Sequence, residues 1–167
     1  MQTFLPYASY SDSAKCLDNK RLGKQRVEGL QILELLKTNK KTGAWANHPV
    51  CDMWRGYEQA LIEYICVICD RWTSLGYKDT CKEKALKFKD DTNIIYPWWL
   101  GIDEIHRSHR SNLYRKNSDA YNIFTSDGPD LPYCWPKDIN GTKWLRYKYS
   151  GLPGYENVLL DKIKNLV

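Results

Sequence analysis

The sequence has no apolar run approaching the ~18 residues that a membrane-spanning helix needs. It has no internal repeat, no low-complexity tract and no linker-like stretch. Met1–Tyr10 lacks a basic segment followed by an apolar run, so no secretory signal is expected. Metal-site spacing is missing as well. Cys66 and Cys69 form one CxxC inside the apolar run Leu61–Cys69, and no second CxxC or His pair stands at zinc-finger distance. His106 and His109 lie three apart, without a third or fourth ligand at a recognisable spacing. These absences predict six thiols in a reducing cytosol, no metal and no cofactor. The expectation is a soluble, cytoplasmic monomer with no membrane partner.

What is present is aromatic and basic. The 167 residues are 43% hydrophobic, enough for a real core and ordinary for a globular chain. Seven Trp and twelve Tyr are many for this length, and the net charge is +5. The excess is uneven: residues 15–26 carry five cations and one acid, and residues 106–116 carry four cations and none. Basic patches on an aromatic-rich protein point towards nucleic acid, although basicity alone is weak evidence.

The periodicity predicts a mainly α, compact single-domain fold over 1–167, with two long packed helices and a loop-rich C-terminal part. Met1–Tyr10, with Pro6, reads as extended and packed. Ser11, Asp12 or Ser13 is expected to cap a first helix, and Asp18 a second. Asn39–Thr42 closes that helix, and Gly43–Pro49 reads as a loop. A second long helix is expected from about Val50 to Leu75, carrying Met53, Trp54, Tyr57, Leu61, Tyr64, Ile65, Ile68 and Trp72. A charged helix over Lys78–Asp91, a helix over Asp103–Lys116 and a short final helix over Glu156–Leu166 complete the reading. No β-sheet of any size is expected.

The stretch LDNKRLGKQRVEGLQILELL, Leu17–Leu36, carries the functional argument. Val27, Leu30, Leu33 and Leu36 recur at helical spacing. Lys20, Arg21, Lys24, Gln25 and Arg26 crowd around one acid, Glu28, and helical geometry puts Arg21, Lys24 and Glu28 on one face. An anion among cations suits stabilisation of a cationic intermediate or orientation of a nucleophile. Taken alone, such pairs are more often solvated decoration, worth about 0.2–0.5 kcal/mol.

That stretch, the segment HPVxxMWxGYExAL at His48–Leu61 and HRSHRSNLYRK at His106–Lys116 together resemble the pyrimidine-dimer DNA glycosylases, the phage endonuclease V type. The resemblance is clearest over 1–124 and rests on the order and spacing of segments. It implies a DNA repair glycosylase with AP-lyase activity, acting on double-stranded DNA with damaged or modified bases. In that family an α-amino nucleophile attacks C1′, assisted by a glutamate on the first long helix, and the imine then breaks the strand by β-elimination. An ordinary α-amine, with a pKa near 8, suits the task better than a lysine near 10.4. Carried over, the glutamate is Glu28 and the terminal residue is Met1 or Gln2. Gln2 is bulky where the phage type exposes a small residue once the initiator Met is removed, so the amine is expected on Met1.

The DNA contacts implied are Lys20, Arg21, Lys24, Arg26, His48, His106, Arg107, His109, Arg110, Arg115 and Lys116. Trp45, Trp98 and Trp99 are candidate wedges or plugs of the core. The cluster Trp144–Tyr149 is a candidate for stacking or for surface packing. Two other readings stay open: a glycosylase for another modified base in which Glu28 activates water, and a DNA-binding module without catalysis.

Overall fold

The computed structural model describes residues 1–38, 47–149 and 151–161. The chain divides into two compact units, Met1–Leu100 and Gly101–Val167.

The first unit is helical: α1 Tyr10–Cys16, α2 Asn19–Lys37, α3 Pro49–Trp54, α4 Glu58–Ser74 and α5 Cys81–Leu86. Asp18 starts α2 as expected, its carboxylate accepting the Arg21 N–H at 2.7 Å. The cap of α1 falls earlier than expected, at Ser9, whose hydroxyl accepts the Asp12 N–H at 3.2 Å. The long helix expected over Val50–Leu75 is two. Gly56, at φ 81°, turns the chain between α3 and α4, and the apolar stripe continues across the turn. The charged helix expected over Lys78–Asp91 shrinks to the six residues of α5.

The buried face of α2 comprises Leu22, Gln25, Gly29, Leu30, Ile32 and Leu33. Val27 points outward instead, 43% exposed, so the stripe is rotated from the one the leucine spacing suggested. α2 lies against α4 so closely that a β-carbon at Gly29 would meet Ile65 Cγ1 at 2.8 Å. Trp54, Tyr64, Ile65 and Ile68 fill the core below. Gln2–Pro6 is buried and runs as a non-helical segment over the same core.

The second unit contains α6 Asp103–Lys116, bounded as predicted, a 3₁₀ turn at Asn122–Asp127 and a three-stranded antiparallel sheet. The sheet corrects the expectation of none: β1 Tyr133–Ile139, β2 Thr142–Lys148 and β3 Glu156–Leu159, in that order. Asn140 and Gly141, at φ 51° and 83°, form the tight hairpin turn between β1 and β2. β3 occupies the start of the helix expected over Glu156–Leu166, whose remainder from 162 lies outside the described residues. So do Asn39–Thr42, most of the Gly43–Pro49 loop and Trp45. No described helix is long and apolar enough to cross a membrane.

Candidate active site

The start of the chain is sewn onto α2 by one buried amide. Gln25 is 1% exposed. Its Nε2 donates to Gln2 O at 2.9 Å and to Glu28 Oε2 at 3.3 Å. Its Oε1 accepts the Phe4 N–H at 2.7 Å and the Tyr64 hydroxyl at 2.7 Å. The Tyr64 proton is shared with Phe4 O at 3.1 Å. Burial, then the Glu28 charge, holds the Tyr64 hydroxyl well above its ordinary value, so it remains a donor. Trp54 Nε1 secures the next residue, donating to Thr3 Oγ1 at 2.9 Å.

These bonds deliver the terminus to Glu28, whose Oε2 accepts the Gln2 N–H at 3.2 Å. Met1 and Glu28 border one open cleft of about 750 Å³, walled by Gln31, Glu34, Leu35, Thr38 and Phe88. A second cleft of about 510 Å³ shares Glu28 and Gln31 and adds Lys20, Lys24, Val27 and Trp72. Glu28 therefore stands on the border of both clefts, with Lys20 and Lys24 on the side of the second.

His48 caps α3, its Nδ1 accepting the Val50 N–H at 3.2 Å. Partial burial holds the imidazole below its ordinary value. The positive charge of the terminal amine presses the same way, and Asp52 opposes both.

The expected cations separate into groups. Lys20 and Lys24 are exposed on the rim beside Glu28, and Arg21 is half-buried. Arg26 is committed elsewhere. It pairs with Asp79, the two side chains being 14% and 5% exposed, and lies 4.5 Å over the Trp72 ring. Trp72 in turn stacks on Tyr77 at 4.0 Å. This is a packed tie within the unit.

In the second unit the HRSHR residues are likewise engaged. His106 and His109, expected among the phosphate contacts, are buried, at 4% and 0% exposure. Arg107 and Arg110 both bind Asp127, Arg110 Nε at 2.7 Å. Arg115 and Lys116 are exposed near Tyr133. Trp99 belongs to the core, fully buried with Nε1 donating to Met53 O at 2.8 Å, and Trp98 is half-buried.

Sequence reasoning missed Gln25, Tyr64, Thr3 and Asp79. A signal existed for Gln25: it is the one polar side chain on the buried face of α2, one turn before Glu28.

The site and fold define a mostly helical protein whose chain start is held against a helix carboxylate. Residues 1–85 match the family described as pyrimidine dimer DNA glycosylase. The chain belongs to that family, which makes DNA its substrate and repair glycosylase its class. Comparison with curated proteins gave no match, and none was found among solved structures.

Proposed function

We propose that the chain excises damaged pyrimidines, cyclobutane dimers among them, and then cleaves the resulting abasic strand as an AP lyase. The terminal amine attacks C1′. The N–C1′ bond forms as the C1′–base bond breaks, and the base leaves with the bonding electrons and takes up a proton. Opening of the sugar at O4′ gives an imine. Loss of a C2′ proton then expels the 3′ phosphate.

Glu28 stabilises the cationic sugar and imine through its negative charge. Lys20 and Lys24 hold the flanking phosphates, and Met1 and Gln2 carry the nucleophile and its anchor. The observation that supports this reading is the Gln2 N–H bond to Glu28 at 3.2 Å, which puts the chain start against the carboxylate. An enzyme attacking C1′ must extrude a nucleotide, at a few kcal/mol of unstacking, and the cleft beside Glu28 offers space for it.

Borohydride trapping on duplexes carrying a cyclobutane dimer or an abasic site tests the mechanism. The expected result is a covalent adduct mapping to the N-terminal residue, with intact mass showing a free amine on Met1. An adduct on a lysine would move the nucleophile. Base release without an adduct would favour water activated by Glu28. Glu28→Gln is expected to abolish turnover while keeping DNA binding, and lesion cleavage at the native rate would sink the role given to Glu28.

A further inference from the structure

The sheet of the second unit has two chemically different faces. Cys134, Pro136 and Leu145 are buried on one. On the other, the register sets Tyr133 opposite Lys148 and Trp135 opposite Arg146, because side chains alternate along each strand.

The rings on this face close on one another. Tyr133 stacks on Trp135 at 5.3 Å, and Tyr155 meets Trp135 edge-on at 6.2 Å. Cations are then seated on the rings. Arg146 and Lys148 lie 5.2 and 5.6 Å over Tyr155, and Arg115 and Lys116 lie 5.8 and 6.0 Å over Tyr133.

A ring orients a cation without cancelling its charge. The hydrogen bonds of two of these heads have the same character. Arg115 donates to Asn112 Oδ1 and to Pro129 O, and Lys148 donates to the carbonyls of Leu152 and Gly154, all neutral oxygens. Arg107 and Arg110 differ, because both spend their charge on Asp127.

We propose that this face, with Arg115, Lys116, Arg146 and Lys148 seated on the Tyr133–Trp135–Tyr155 ring cluster, binds the sugar-phosphate backbone of DNA. Charge complementarity selects the occupant. Cations already held in place lose little rotamer freedom on meeting phosphates. Trp135 is only 5% exposed, its ring covered by its neighbours, so the face offers backbone charge and not a platform for bases. The family match ends at residue 85, well before this surface. The assignment stands on the second unit alone and does not depend on the amine chemistry.

The test is fluorescence anisotropy of the full chain with a short undamaged duplex, titrated with salt. Each phosphate contact contributes about 0.9 to the slope of log K against log salt. R146Q combined with K148Q is expected to reduce the slope by about 2, and R146K with K148R to restore it, which separates charge from folding. An unchanged slope in the folded double glutamine variant would overturn the proposal, even with borohydride trapping intact. So would displacement by polyglutamate as effective as by DNA at matched salt, which would assign the face to an acidic protein.

Discussion

Glu28 on its own would be one more half-buried acid on a helix; Gln25 makes it part of a site. The amide satisfies two peptide groups of the N-terminal segment and a buried hydroxyl, and it also touches the carboxylate. Gln25→Ala would leave Phe4 N–H and Gln2 O without these bonds inside the protein. A buried group deprived of its partner costs about 1–3 kcal/mol, so the urea midpoint should fall accordingly. Because the same bonds position the chain start, trapping of the imine should fall further than stability alone accounts for. If adduct yield in folded Gln25→Ala equals wild type, Gln25 only supports the fold.

At the scale of the element, the crossing of α2 and α4 is what keeps Glu28 over the core. Gly29 sits at this crossing, and a methyl group there would have to displace Ile65. Overpacking of this kind costs about 1–3 kcal/mol, against a gain of up to about 1 kcal/mol in helix propensity. Gly29→Ala should therefore lower the denaturation midpoint. A midpoint at or above wild type would mean the two helices part readily.

The elements also differ in how far the sequence reveals them. Asp18 marks the start of α2, and α6 is legible because acids open it and cations close it. The break at Gly56 is hidden because burial, which the apolar stripe reports, continues through it. The sheet carried a signal in Asn140-Gly141, the pair an I′ hairpin favours, but Pro136 on β1 argues against a strand. β1 is an edge strand of the sheet, where proline is tolerated. At the site, the spacing of charges grouped Lys20, Lys24 and Arg26 around Glu28 but could not separate Lys20 and Lys24, on the rim, from Arg26. The partner of Arg26, Asp79, lies 53 residues further along the chain.

Across the whole molecule, the described residues of each unit include a largely buried arginine–aspartate tie, Arg26 with Asp79 and Arg110 with Asp127. Burial alone would raise both carboxyls. For Asp79 the Lys82 N–H and the Arg26 guanidinium outweigh it, and for Asp127 Arg110 and then Arg107 do so, leaving both below the ordinary 3.8. The native state then binds fewer protons than the unfolded chain. The stability these groups contribute is complete above 3.8 and is lost as pH falls through their native values. His48, held below its ordinary 6.5, acts in the same direction at higher pH: its contribution is present above 6.5 and lost as pH falls through its native value. Urea midpoints measured against pH should therefore decline in two stages. His48→Gln should diminish the first. Asp79→Asn and Asp127→Asn should each flatten the second; Asp79→Asn should also cost about 3 kcal/mol at neutral pH because it takes the carboxylate from the largely buried Arg26, whereas Arg110 keeps Asp103 in Asp127→Asn. If both asparagine variants kept the acid limb of the wild type, the two ties would not govern the acid sensitivity, and the remaining carboxylates would have to account for it.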